Sequence, residues 1–428
     1  MKNTILKLKC IDITVDFYGV CKHEGLVIFV KGLIPDEVAN IKIIKIKNKI
    51  AFGIIDELIE KSKYRIKEPC PVAYKCGGCD IQYIDYNYQL VLKKRLIENT
   101  INHTHLDLKV LDTIGSDDTY SYRNKIQVPV SNNKMGYYRN HSNDIVEFDN
   151  CFITSDISNS ILRDIKKLII EYSISTYIKH VVIRNSINEY MVCLVCNTFD
   201  IPHTDEIVKN ITNNYPEIKS FMLNLNTSDT NVIYGDQDKC LFGNEYLIDE
   251  VNDLSFMIPL RSFYQINSKQ MRKLYDHIIK VGELSKNDKV LDLFCGIGTI
   301  SLYISKYVKE VLGIEINKKS IEYANKNKSL NNIVNANFIQ MDANKVSNYI
   351  NKYDTIILDP PRKGINGELV DSLIHSSVNK IIYVSCNQAT LLRDLDLLKD
   401  FFDIGNIQPL DMFPQTKHIE CIVCLNRK

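Results

Sequence analysis

Net charge is what this sequence has least of. Over 428 residues, 53 lysines and arginines face 52 aspartates and glutamates, leaving +1, so no global field marks the chain as a binder of polyanions. It also lacks any run of eighteen apolar residues, which excludes an ordinary membrane-spanning helix. The opening stretch Met1 to Cys10 is interrupted by lysines before an apolar signal core can form, which argues against secretion. The expected location is the cytoplasm, where structural disulfides are rare.

What is present is a soluble, globular composition of 45% hydrophobic and 25% charged residues. The length exceeds what one core supports and suggests about three domains. Thirteen cysteines in a reducing compartment point to metal binding or catalysis more than to disulfides. Charge is also uneven. Residues 1 to 67 hold 13 lysines and arginines against 8 acids, a local excess that fits either a solvated basic face or contact with nucleic acid.

From Ile5 to about Leu58, short alternating apolar stretches are separated by Gly19, Gly25, Gly32 and Pro35, the pattern of a small antiparallel barrel. In Ile41 to Lys47, lysines alternate with isoleucines, placing charge on one face and core on the other. The segment Asp16 to Glu37 resembles a TRAM domain, a small RNA-binding barrel. Next, Cys70, Cys76 and Cys79 fall within ten residues of a Pro- and Gly-rich loop, whose turns let the sulfurs converge on one centre. A fourth thiolate is needed for zinc or for an iron-sulfur cubane, with Cys10, Cys21 and Cys151 as candidates, and spacing does not choose the metal. The pairs Cys193/Cys196 and Cys421/Cys424 share a two-residue spacing but lie in strand-like runs, where residues three apart point to opposite faces, so these four read as core. After a short amphipathic helix at 87–101, Tyr122-Arg123-Asn124-Lys125 and Gly136 to Arg139 interleave aromatic and basic side chains, a combination suited to stacking on bases and neutralising phosphates or simply to exposed strand.

Residues 255 to 428 carry the clearest pattern. Lys289 to Phe294 reads as a strand, Cys295-Gly296-Ile297-Gly298 as a tight turn, Thr299 to Val308 as a helix and Val311 to Glu315 as the next strand. This is a Rossmann-type unit in which glycines admit a nucleoside and the terminal acid accepts from ribose hydroxyls. The dinucleotide fingerprint's third glycine is missing, which suits S-adenosylmethionine better than NAD. Asp342, after a further strand, sits where an adenine contact or a solvated loop acid would be. Asp359-Pro360-Pro361-Arg362 follows another strand; enzymes that methylate exocyclic amines place an aromatic residue where Arg362 stands. Attention therefore shifts to the apolar run Lys380 to Ser385, which ends at Cys386. Strand ends of an open parallel sheet are where ligands gather.

A thiolate at that point has a specific use. Carbon 5 of uracil is a weak nucleophile, but addition of a thiolate to carbon 6 makes it an enolate that attacks a sulfonium methyl, after which a base removes the carbon 5 proton. Cys386 supplies the thiol, Asp359 a grip on the ring, and Glu420, set among Ile419, Cys421 and Ile422, a carboxylate whose apolar neighbours make it costly without a role.

With these residues in view, the chain resembles the RNA (uracil-5-)-methyltransferases of the iron-sulfur 23S ribosomal RNA type. The resemblance implies an α/β fold: a TRAM-like barrel over residues 1–60, a mixed α+β central domain with the cysteine cluster over 61–255, and a Rossmann-like S-adenosylmethionine-dependent methyltransferase domain over 256–428. It implies Cys386 as nucleophile and Glu420 as proton acceptor; Gln265, Phe294, Glu315 and Asp359 around the cofactor; and Cys70, Cys76, Cys79 and Cys151 on a 4Fe-4S cluster that braces the RNA-binding part rather than reacting. Phe263 would stack on the flipped-out base, and Arg123 and Lys125 would contact RNA. Asn387 stands before Gln388 where related sequences often carry proline. The expected partner is RNA, 23S ribosomal RNA ahead of transfer RNA, with no membrane and a monomeric enzyme. The competing expectations are transfer-RNA methylation by the same chemistry, a catalytically silent iron-sulfur RNA-binding or assembly protein, and cytosine methylation.

Overall fold

The computed structural model describes residues 2–140 and 142–428. Strands β1 (Ile5–Lys9), β2 (Asp12–Ile13), β3 (Tyr18–His23), β4 (Leu26–Lys31), β5 (Val38–Lys47) and β6 (Ile50–Glu60) form a six-stranded sheet in the order β1-β5-β6-β4-β3-β2. Alternation sorts the side chains: Cys21, Ile28, Val30 and Ala51 are buried on one face, whereas Tyr18, Phe29 and Phe52 between them are only partly covered. The sequence pattern suggests purely antiparallel pairing. One pair departs from it: β6 returns from a hairpin with β5 and lies beside β4, so β4 and β6 run parallel. Cys10 and Cys21 are buried against each other in this core, which removes both as partners for the cysteine loop. Glu37, fully buried, is held by Arg65 through its Nε at 2.5 Å and Nη2 at 2.7 Å.

Helix α1 (Tyr86–Ile101) starts at Asp85, whose side chain accepts from the backbone N–H groups of Asn87 and Tyr88. Its Leu92 and Leu96 pack with Ile13 of β2 and Phe17 of the turn that follows it, while Ile97 and Ile101 join the core of the last sheet. The central sheet comprises β7 (Lys125–Ser131), β8 (Lys134–Tyr138), β9 (Ile145–Glu147), β10 (Ile178–Asn185), β11 (Tyr190–Cys196), β12 (Ile218–Leu225) and β13 (Gln237–Gly243), ordered β13-β12-β11-β10-β7-β8-β9 and packed with α2 (Asp156–Glu171) and α3 (Thr204–Asn214). Cys193 and Cys196 enter different cores on its two faces, as period-two geometry requires.

A hairpin, β14 (Tyr246–Val251) with β15 (Leu254–Pro259), leads to α4 (Ser268–Gly282) and the final sheet. Its strands β16 (Lys289–Leu293), β17 (Glu310–Glu315), β18 (Ala336–Gln340), β19 (Thr355–Leu358), β20 (Lys380–Ser385), β21 (Phe402–Ile404), β22 (Gln408–Leu410) and β23 (Glu420–Arg427) run in the order β18-β17-β16-β19-β20-β23-β21, with β22 on β23. The first five are parallel and β23 is antiparallel to β20. Helices α5 (Thr299–Ser305), α6 (Lys318–Leu330), α7 (Ser347–Ile350), α8 (Gly367–Ile374) and α9 (Gln388–Leu398) alternate with them. Both faces are apolar, Leu291 and Leu293 feeding one core and Val290 the other, which is why these strands read as continuous hydrophobic runs. Helix α5 stops at Ser305, three residues short of the sequence expectation, where the Ser305 hydroxyl donates to the Leu302 carbonyl at 2.7 Å. The strand order reverses between β16 and β19, and a crevice at such a switch point is the usual ligand site of an open α/β sheet.

Candidate active site

Five successive chain positions arrive at one edge of the last sheet. Phe294 follows β16, Glu315 ends β17, Asp359 follows β19, Cys386 follows β20, and Glu420 opens the antiparallel β23. All five line a single cavity of ≈ 880 Å³. The register of β20 against β23 pairs Ser385 with Cys421; one step further sets position 386 opposite position 420. Residues opposite each other across an antiparallel pair put their side chains on the same side, so the register directs the thiol and the carboxylate toward the same cavity, where Glu420 acts electrostatically on Cys386.

The electrostatics agree. Burial, and next the Glu420 carboxylate, push the Cys386 thiol up to about 11, against which the Arg362 guanidinium pulls it down. Burial also pushes Asp359 up to about 7 and Glu420 well above the ordinary carboxylate range, with Asp359 adding to the shift and Arg362 opposing it. Glu420 is 4% exposed. Two acids and a thiol therefore share one sheltered corner with Arg362. The Arg362 loop is held in place because its carbonyl accepts from Asn387 Nδ2 at 3.0 Å and from Thr390 Oγ1 at 3.1 Å. Asn387 also caps α9, so Cys386 stands at a helix N-terminus, an environment that favours thiolate.

The glycine turn forms the adjoining part. Gly296 has φ +56 and Gly298 φ +82, and Phe294, which is not a glycine, is held at φ +68; such strain concentrates at functional sites. A Cβ at Gly296 would meet nothing within 4 Å, so the turn faces open space. Glu315 accepts from the Gly296 N–H at 3.3 Å and the Asn317 N–H at 2.8 Å, which aims its carboxylate across the turn. A glycine turn open to the cavity beside an oriented carboxylate fits a nucleoside-bearing cofactor. Asp342 turns away from this task and caps its own turn by accepting from the Asn344 backbone at 3.0 Å.

The opposite wall is made of loops. Phe263, 71% exposed, and Gln265 project from the segment between β15 and α4, which is pinned by Asn124 Nδ2 to the Gln265 carbonyl at 2.9 Å and by the buried Arg184 to the carbonyls of Pro259 and Ser262 at 3.1 and 2.8 Å. Arg123 lines the cavity beside them. Lys125 does not line it. Its ammonium lies 5.1 Å from the Tyr234 ring centroid, and burial together with Arg184 lowers its pKa to about 6.

The cysteine loop forms the third side. Cys70, Cys76 and Cys79 are nearly buried, and Gly77 donates to the Tyr138 carbonyl at 2.9 Å. Burial first, then Cys151 and the other loop thiols, raise Cys76 to about 11 and Cys79 to about 12, so Cys151 is the fourth neighbour. Cys70 and Cys151 thus lie within electrostatic reach of Cys76 and Cys79. Among the described residues, no three His, Cys, Asp or Glu side chains are gathered as ligands of a single metal ion. The loop also reaches the reaction corner: Gly77, Gly78 and Asp80 line the same cavity.

Sequence reasoning missed His418, Thr416 and Asp80, which line the cavity, and gave Arg362 no role. Burial and then Arg362 push His418 down to about 4, leaving it neutral. Local signals for these residues are faint because the segment 411–418 is defined by distant partners. Tyr122 Oη donates to the Pro414 carbonyl at 2.9 Å, Lys93 Nζ to the Phe413 carbonyl at 3.2 Å, and the fully buried pair Lys93–Asp411 closes at 2.6 Å.

A family profile described as tRNA (uracil-5-)-methyltransferase matches residues 85–428. An uncharacterized RNA methyltransferase of Bacillus cereus is 37% identical over 448 aligned positions, covering 99% of this chain and 97% of that protein. One from Clostridium acetobutylicum is 37% identical, covering 96% and 94%. The crystal structure of the Pyrococcus abyssi tRNA (uracil-54, C5)-methyltransferase in complex with S-adenosyl-L-homocysteine superposes with a TM-score of 0.79 at 28% identity, over 98% of this chain and 99% of that one.

Proposed function

Because the chain belongs to the RNA (uracil-5-)-methyltransferase family, we propose that it methylates carbon 5 of a uridine in 23S ribosomal RNA through a covalent adduct with Cys386. The single observation that supports this most is that Cys386, just past the end of β20, and Glu420, at the start of the adjacent β23, line one cavity together with the glycine turn. Bound S-adenosylmethionine supplies an electrophilic methyl group. The chain's own residues do the rest. Cys386, as thiolate, forms a bond from Sγ to carbon 6 while the ring electrons move to the carbonyl oxygen. Carbon 5 then takes the methyl group, Glu420 accepts the carbon 5 proton, and the Sγ–carbon 6 bond breaks to return the thiolate. The Arg362 guanidinium lies beside the thiol and offsets its negative charge. Phe263 presents an exposed ring for stacking on the extruded base; Gln265, Phe294, Glu315 and Asp359 hold cofactor and ring.

Residues 1–60 are assigned as an RNA-binding, TRAM-like unit, 61–255 as the central domain and 256–428 as the catalytic domain. Cys70, Cys76, Cys79 and Cys151 are assigned to a 4Fe-4S cluster, because Cys70 and Cys151 act electrostatically on the sheltered thiols Cys76 and Cys79; equal molar iron and acid-labile sulfide, about four of each per chain, would bear this out, and zinc without sulfide would refute it.

The function is tested with 5-fluorouridine in transcripts of 23S ribosomal RNA and of transfer RNA. Fluorine cannot leave as a proton, so an adduct that survives denaturant is expected with the ribosomal transcript and S-adenosylmethionine. A complex that dissociates fully in denaturant refutes the covalent step. Adduct with the transfer RNA alone transfers the assignment to the second reading, which the name of the Pyrococcus abyssi enzyme favours.

A further inference from the structure

We propose that a second RNA base, on the same strand as the target uridine, stacks in a cleft between the amino-terminal sheet and the catalytic cavity. The proposal rests on RNA occupying the large cavity. The cleft measures ≈ 530 Å³ and includes Tyr18, Phe29, Lys31, Phe52 and Lys417 in its walls, a size suited to one nucleotide. Its aromatic wall follows from strand alternation. Phe29 and Lys31 stand two apart on the outward face of β4, Phe52 is the parallel partner of Phe29 on β6, and Tyr18 is the antiparallel partner of Lys31 on β3. The two phenylalanine rings are 5.8 Å apart at 61°. Three rings on the side of a sheet away from its core, next to a lysine, make a surface that takes a base by its face and the phosphate by its charge.

Asp80 joins this cleft to the catalytic cavity, since it lines both. Its carboxylate accepts from the Lys417 N–H at 3.2 Å, and Lys417 Nζ in turn pairs with Asp16 at 2.5 Å. A strand leaving the catalytic cavity over Asp80 therefore enters the cleft. The polar rim there is rich in acceptors, with Asp16, Asp80 and the Asn140 amide. A carboxylate accepts from any base N–H, and the adenine exocyclic amine offers two such hydrogens against the single ring N–H of uracil, so adenine is favoured.

The test measures fluorescence anisotropy of labelled hexa-adenylate and hexa-uridylate on the full-length protein. Wild type is expected to bind hexa-adenylate more tightly. Phe52→Leu should weaken hexa-adenylate by about 5- to 150-fold, the range for loss of one stacking partner. Lys31→Ala, at an exposed position where folding is not at issue, should weaken both oligomers and lower the salt dependence by about one charge. Wild-type affinities in both folded variants, or no binding of hexa-adenylate by wild type, overturn the cleft as a base site. Equal affinity of wild type for the two oligomers overturns the amine preference. Because these readouts need no methyl transfer, a cleft that binds as expected alongside a missing 5-fluorouridine adduct would refute the catalytic reading alone.

Discussion

One wall of the large cavity is a row of strand ends, while the wall facing it is a set of loops that no regular ladder holds. On the first, Glu315, Asp359, Cys386 and Glu420 inherit their positions from the hydrogen bonding of a single sheet. On the second, Phe263, Gln265, Phe413 and His418 depend on side chains that reach loop carbonyls from far along the sequence, among them Arg184, Asn124, Tyr122 and Lys93. The difference separates two requirements. Bond-making atoms must be held within a fraction of an ångström, which ladders supply, and recognition of an extruded base needs a surface that can admit it.

The sharpest way to break the comparison is at the first wall. Cys386→Ala should leave the fold intact and lower methyl transfer by about 10³-fold or more, with no 5-fluorouridine adduct, read by transfer of labelled methyl to RNA. Glu420→Gln should slow turnover by about 10²- to 10⁴-fold, and it should differ in kind: the methylated adduct accumulates on ordinary RNA because its carbon 5 proton stays in place. A denaturing gel shows this, and a Glu420→Gln enzyme with neither adduct nor loss of rate would remove the glutamate from the mechanism.

The second wall breaks through stability. Lys93→Met leaves Asp411 buried without its counter-charge and should cost about 3–5 kcal/mol in urea unfolding; adding Asp411→Leu should recover part of it. If Lys93→Met unfolds like wild type, the loop does not depend on the buried pair. The smallest effect needs no mutation. With the Cys386 thiol pushed up to about 11 and Glu420 also raised, both working forms are the deprotonated ones. Adduct formation by free enzyme should therefore rise about tenfold per pH unit from pH 7 to 9, and a plateau below pH 8 would show that the thiol is already ionised at rest.

The same contrast explains what could be read in the sequence. Cys386, Glu315 and Asp359 were legible because each ends a short apolar run, and Glu420 because a lone carboxylate among isoleucine and cysteine is expensive. The three loop cysteines and the strand pairs were separable for the same reason, the former curling on glycine and the latter alternating between cores. His418 and Asp80 were not legible, since their environment is assembled from residues hundreds of positions apart. The contact of Lys125 with Tyr234 was not legible either, because the tyrosine lies far downstream. The parallel pairing of β4 with β6 was hidden too, as local pattern reports where strands are and not which neighbour they choose.

The meeting of Cys386 with Glu420 is a matter of parity. Side chains alternate along a strand, so a slip of β23 by one residue against β20 would bring Ile419 or Cys421 opposite the thiol and turn the carboxylate to the other face. The six paired positions that hold β23 on β20 are thus as much a part of the site as the acid itself.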